Sequence, residues 1–473
     1  MKINQKETKR TLKKILDAQD IIYFDFTTKK YSGFLVYVDS ITDRESLGEL
    51  VLRPLNEYYA PLNAEDICSK ILSANTEVEE NLDNSIAKIL SGKTALFIYG
   101  LEKIILVDLK KFDSRSISEP PTSSVIKGPR EGFTESIKTN LSLLRRRIIS
   151  PHLKIEITTV GKQSKTSVAF CYMANIANDG IIDKIRKKLN SVSIDNIPDS
   201  AYLQKILSDR KNSLFKQVGT TEKPDIMVAK LMEGRVAIIV DGSPLALTAP
   251  YILLEDFQSS EDYYKSTYKA NMERILRFLS ITLAVFLPGV YVAAQLFHME
   301  FIPLKFLLTI VSSVRGIPLS PTYEMFFTLL IFEILNEASV RMPKYVGMAL
   351  SIVGALVLGE TAVQAGIVSS PAILIMALSG ICLYTVPELV GTMSLLRFSV
   401  LLVAGTLGGY GILVLSTFLF CYLSSMESFG VAYLSPYSPL VTKDLKDGLL
   451  MDNLINMKRR PVSLKTYKNK VRM

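Results

Sequence analysis

YVGMALSIVGALVLGETAVQAGIVS, residues 345–369, decides how this chain reads. The run is about 25 residues long and carries one acid, Glu360. That length suffices to cross the ~30 Å hydrocarbon core of a bilayer as a helix. Gly347, Ser351, Ala355 and Gly359 recur every four residues, a small-residue face that lets helices approach closely where lipid supplies no hydrophobic drive. The opposite face carries Val346, Leu350, Val353, Val357, Glu360 and Gln364, an apolar stripe that runs into a polar end. In a ring of identical subunits such a stripe makes a hydrophobic constriction beside a ring of carboxylates, the construction of dewetting gates and acidic cation filters. The segment is therefore expected to be the central helix of a membrane domain. Leu350, Val353, Val357, Glu360 and Gln364 are its pore and gate candidates. A helix packed on both faces inside a bundle is the plainer alternative.

The neighbours of this run support a membrane domain over residues 275–425. Arg277–Phe297 is long enough to span, and Pro288-Gly289 in its middle is expected to kink it. Met299–Val314 is shorter, holds Pro303 and Lys305, and reads as interfacial or re-entrant. Thr322–Arg341 carries Glu324, Glu333, Glu337 and Arg341, the last three spaced four apart on one helix face. Acids near a bilayer centre cost several kcal/mol unless paired or wet, so these four are read as an intramembrane polar seam or cation path. A Glu337–Arg341 pair near the interface is the bland reading. Pro371–Val386 and Phe398–Leu423 complete five clear spans, with Met299–Val314 as a doubtful sixth.

Residues 1–270 are charged, globular sequence of alternating strand and helix signals. Strands are expected at Ile21–Phe26, Phe34–Val38, Ala95–Tyr99 and Lys103–Asp108, with a helix over Arg44–Arg53 that stops at Pro54. This is a first α/β subdomain, within 1–112. Residues 113–149 are a Ser/Pro/Gly-rich linker and a helix, Phe133–Ile149, ending in Arg145-Arg146-Arg147. The arginines read as a solvated helix end, an inter-subunit ion pair or a phosphate site. A second α/β subdomain, 150–270, has strands at Lys154–Val160, Ser167–Tyr172, Arg235–Val240 and Leu245–Thr248, and helices at Ile181–Leu189 and Ala201–Leu207. Residues 426–473 form a basic tail. The fold class is thus an α/β N-terminal soluble region of two small subdomains, followed by an all-α polytopic membrane domain.

Composition excludes several functions. Two histidines, His152 and His298, and four scattered cysteines supply no metal spacing or disulfide framework, so no metal and no cofactor is expected. Ser91-Gly92-Lys93-Thr94 resembles the end of a P-loop, but it follows a helix, precedes a strand and lacks the earlier glycine at Ala87. No nucleophile and base pair up, so the chain is not expected to be an enzyme. The net charge of +9 includes seven Lys/Arg and no acid over 458–472. After a membrane domain this run reads as positive-inside topology or attraction to anionic lipid, not as a nucleic-acid site. With no apolar leader at the N-terminus, both termini are expected in the cytoplasm, which requires an even number of spans.

LVLRPL (50–55), GPREGFTESIKTNLSLLRRR (128–147), LMEGRVAIIVDGSP (231–244), FHMEFIP (297–303), SIVGALVLGETAVQAGIVSSP (351–371) and SFGVAYLSP (428–436) together resemble the A subunits of GerA-type spore germinant receptors, the GerA/SpoVAF family. Asn336-Glu337-Ala338-Ser339 departs from the family's Arg-Glu-Ala-Gly, and Ala432 stands where the family has Pro. The resemblance implies a protein of the inner membrane of the endospore. It implies a transporter-like B subunit that binds the nutrient and a lipoprotein C subunit as partners. It also implies assembly, as a pentamer, into a nutrient-gated channel for monovalent cations.

Overall fold

Ile21, Tyr23 and Asp25 alternate with Ile22, Phe24 and Phe26, and the chain pairs accordingly as strands. The computed structural model describes residues 5–61, 63–73, 75–111, 127–343, 346–347, 352–354 and 357–467. β1 (Ile21–Thr27), β2 (Ser32–Val38), β3 (Thr76–Glu79), β4 (Lys93–Ile98) and β5 (Ile104–Asp108) form an antiparallel sheet ordered β1-β2-β4-β5-β3. β2, between β1 and β4, is buried on both faces. Phe34, Val36 and Val38 pack with α1 (Gln5–Ile15) and the later helix Leu82–Leu90, while Leu35 and Tyr37 meet Leu47, Val51, Leu55 and Ile67. The expected stop at Pro54 is corrected. Helix Arg44–Leu47 passes through a π turn, Gly48–Leu52, into Arg53–Glu57, where Pro54 lies in the first turn. Proline has no N–H for the Leu50 carbonyl four residues earlier, and the Leu72 N–H donates to that oxygen at 3.2 Å instead.

The second sheet, β6 (Leu153–Val160), β7 (Thr166–Met173), β8 (Gly219–Thr221), β9 (Val236–Val240) and β10 (Ala246–Ala249), is ordered β6-β7-β9-β10-β8. Counted within each sheet, this is the same strand order as in the first. The preceding helix begins at Ile137, not Phe133, because the Ser136 side chain caps it, and it runs to Arg147. Its Arg145 is not a solvated helix end. The guanidinium is fully buried and forks onto Asp20 at 2.7 and 2.8 Å, and Nη2 also donates to the Leu153 carbonyl. Asp20 immediately precedes β1, so this pair joins the two subdomains. Removing one partner of a pair buried this deeply costs about 3–5 kcal/mol, because the other charge stays desolvated. Arg146 and Arg147 share Glu131.

Beyond residue 266 the chain becomes helical: α2 (Thr267–Phe297), α3 (Leu304–Val314), α4 (Pro321–Arg341), α5 (Ser370–Leu383) and α6 (Val390–Ser424). Among the described residues two helices are long and apolar enough to cross a membrane, Thr267–Phe297 and Pro387–Ser424. α3 and α5, at 11 and 14 residues, fall short of the ~20 a full crossing takes. Parts of the 345–369 run lie outside the described residues. Its helical structure ends at Gln364, five residues short of the expected Ser369. Gly366, at φ +66°, turns the chain, and Ser369 caps α5 with Pro371 in its first turn.

Residues 426–467, read as a tail, fold back onto the second subdomain. Phe429, Val431 and Leu464 enter the core beside Val236 and Ile238. Arg460 donates to the Met232 carbonyl, and Asn271 and Met451 exchange hydrogen bonds.

Candidate functional site

Pro288 has no N–H, so the Ala284 carbonyl one turn earlier has no helical donor. α2 nevertheless runs unbroken from Thr267 to Phe297. The Ser379 hydroxyl of α5 supplies the missing bond, donating to the Ala284 oxygen at 2.8 Å. Gly289 permits the approach of α6: a Cβ there would lie 2.8 Å from Val400 Cγ1. The proline therefore fixes a crossing point where three helices meet.

From that point a polar chain crosses the bundle. Arg397 of α6 donates from Nη1 to Ser379 Oγ at 3.1 Å and from Nη2 to Glu333 of α4. Ser394 also donates to Glu333. Arg397 is fully buried and the Glu333 side chain is 25% exposed. Another acid of α4, Glu324, is fully buried; it accepts the Ser369 N–H at 2.6 Å and so caps α5. Among the described residues its other oxygen has no hydrogen-bond partner, and nor does the amide oxygen of Gln295, whose nitrogen donates to Tyr291 Oη at 2.9 Å.

The four residues read as one seam thus divide. Glu324 and Glu333 face the interior. Glu337 and Arg341 form an exposed pair four residues apart, with Nε to Oε1 at 2.6 Å. Of the small-residue face, Gly347 packs against the Ser339 carbonyl, Gly359 has open space, and Ser351 and Ala355 lie outside the described residues. Gly354, not singled out from sequence, packs on Leu335. Of the pore and gate candidates, Leu350 lies outside the described residues. Val353 is 55% exposed, as is the flanking Val346 at 51%. Val357 opens a π turn, Val357–Thr361, and Glu360 is exposed and accepts a 3.2 Å hydrogen bond from Gln364.

Two of the contacts that bolt the helices to the second subdomain are clusters of ion pairs. At one, Asp262 accepts from Arg274 Nε at 2.9 Å and Arg277 Nη2 at 2.7 Å, while Arg274 reaches Asp447 at 3.1 Å. At the other, Lys216 bridges Asp256 at 3.0 Å and Glu388 at 2.7 Å. Burial by itself would raise the Asp262 carboxyl, but the hydrogen bonds and charge of Arg277 outweigh it and hold the group below the ordinary aspartate value. A carboxyl lowered on folding contributes stability that is present above its unfolded pKa, about 3.9, and lost as pH falls through the folded value. Asp262→Asn is expected to lower the melting temperature near neutral pH and to lessen its fall below pH 4. Thermal unfolding across pH 3–7 checks this, and parallel wild-type and variant curves would refute it.

Sequence reasoning missed Arg397, Ser379, Ser394 and Ser369. Arg397 stands one residue before the expected span Phe398–Leu423, where a cation reads as a flanking residue. The rule that a helix proline frees the carbonyl four residues earlier points at Ala284, but only the fold shows which hydroxyl answers it.

These features define a class: a two-sheet α/β module bolted to a bundle of apolar helices that is threaded by buried acid–arginine pairing. The sequence profile described as "Bacillus/Clostridium GerA spore germination protein" matches residues 7–463. The chain therefore belongs to the GerA family of spore germination proteins. It is 35% identical over 444 residues to "Spore germination protein KA" of Bacillus subtilis (strain 168), covering 93% of this chain and 81% of that one. It is 34% identical to "Uncharacterized membrane protein YfkQ" of the same organism, covering 97% and 91%. It is 32% identical to "Spore germination protein GerLA" of Bacillus cereus, covering 93% and 90%. Among solved structures, the crystal structure of the N-terminal domain of the A subunit of the Bacillus megaterium spore germinant receptor GerK3 covers 53% of this chain and 95% of that one, at 28% identity and a TM-score of 0.42.

Proposed function

We propose that this chain is the A subunit of a nutrient germinant receptor in the inner spore membrane, and that copies of it assemble around an axis as a nutrient-gated cation channel. A transporter-like B subunit and a lipoprotein C subunit are its partners, with membrane lipid around the helices. The observation that carries the reading is the exposure of the apolar-to-acidic face of the central run at its described residues. Val346 and Val353 are both more than half exposed, Glu360 follows two turns beyond Val353, and Gly359 has room for a neighbour. An apolar stripe open on this side suits the axis of a ring, with Val353 and Val357 as the constriction and Glu360 near a mouth. Glu333 and Glu324, whose partners lie within the chain, brace the wall behind it.

A second reading, a non-conducting scaffold that couples a nutrient-binding partner to a separate channel, draws on the same pairing, since both interior acids are already engaged by the chain's own groups. Electron microscopy of the purified full chain in nanodiscs separates the two. The channel reading expects a ring, pentameric, with the 346–364 segment on its axis. A monomer, or a ring with α2 or α6 on the axis, refutes it.

A further inference from the structure

Where the second subdomain meets the helices there is a cavity of about 480 Å³, within the range of small-molecule sites. Most charges on its wall are matched. Lys230 and Arg235 pair with Glu255, Arg277 with Asp262, and Asp256 and Glu388 with Lys216. Lys223 and Asp225 are the least well matched, paired among the described residues with each other alone and at long range. The Lys223 side chain is 1% exposed, yet its ammonium has only long contacts, 3.5 Å to Ser260 Oγ and 3.9 Å to Asp225. The Asp225 side chain is 8% exposed, and its Oδ1 has no hydrogen-bond partner among the described residues. Its Oδ2 accepts a 3.4 Å bond from the Tyr264 hydroxyl. Both residues sit at the start of the helix Pro224–Met232, whose N-terminus has no side-chain cap. A buried ammonium with three donors and a buried carboxylate with a vacant oxygen are each costly without partners.

We infer that this cavity binds a small zwitterionic group, its anion on Lys223 and the uncapped helix N-terminus and its cation on Asp225. A plain anion satisfies the lysine but meets the Asp225 carboxylate, and a plain cation has the reverse difficulty. A ligand with both charges a few ångströms apart answers both vacancies. Arg277 and residues 385–388 on the wall belong to the ends of the apolar helices, so the group has two sources: a free small molecule or a zwitterionic lipid headgroup. The inference is independent of whether the assembly conducts.

The test uses the full chain. Isothermal titration calorimetry in detergent measures phosphoethanolamine and glycine, with inorganic phosphate and ethanolamine as single-charge controls. Melting temperatures are compared in phosphatidylglycerol nanodiscs with and without phosphatidylethanolamine. The expected result is saturable binding of a free zwitterion, or stabilisation that requires phosphatidylethanolamine, with the control ions weaker. Lys223→Met and Asp225→Asn should each weaken the effect about tenfold or more, as expected when one of two matched charges is lost. Circular dichroism verifies folding. If Lys223→Met does not fold, the nearly isosteric Asp225→Asn decides. Absence of any response of the wild-type chain to either source, or wild-type affinity in the folded variants, overturns the proposal.

Discussion

Arg397→Met is expected to be the most destabilising single substitution in the helical region. It removes the only cation paired with Glu333 among the described residues and leaves that carboxylate, 25% exposed, inside the bundle. Breaking such a pair costs about 3–5 kcal/mol, with the lower end expected here because Glu333 retains some access and its bond from Ser394. Ser379 keeps its bond to the Ala284 carbonyl, so the proline crossing should survive. Arg397→Met with Glu333→Leu should recover most of the loss, because no uncompensated charge is then buried. Thermal unfolding of the three variants in one detergent checks this. A single variant that melts like wild type, or a double variant no better than the single, would show that the pair does not hold the bundle.

Val353→Ala is expected to give spores that germinate without nutrient. A dewetting gate depends on apolar side chains narrowing the path, and removing two methyl-sized groups from each copy widens and wets it. Val353 has room to reach an axis because it is more than half exposed in the single chain. Loss of refractility without nutrient is the readout, with Ile352→Ala as a control one position round the helix. Normal dormancy with a normal nutrient response in Val353→Ala would exclude this face from the pore.

Much of this architecture was legible in the residues, and the failures have physical causes. Strands such as Phe34–Val38 and Ala95–Ile98 announce themselves because their β-branched and aromatic residues pack on both faces. β3 and β8 went unseen, for Thr76–Glu79 is half charged and Gly219–Thr221 is three residues long; both exist only through pairing with distant strands. Without them the common strand order of the two sheets was invisible. Arg145 looked solvated because its neighbours are arginines, but its partner, Asp20, lies 125 residues away. The acids of α4 stand out in the sequence, but their spacing groups them by helix face. Burial grouped them otherwise, because Glu333 meets an arginine from α6 and Glu337 meets only its own helix. Helix ends followed local rules once all were applied together: Gly366, Ser369 and Pro371 stop one helix and start the next.

The central claim is that the exposed face around Val353 lines a conducting path. Potassium release from liposomes holding the purified Val353→Ala oligomer tests it most directly. The account predicts release from the variant without nutrient, a tight wild type, and reduced cation selectivity when Glu360→Gln is added. Liposomes that stay sealed with correctly assembled Val353→Ala oligomer would contradict it and favour the scaffold.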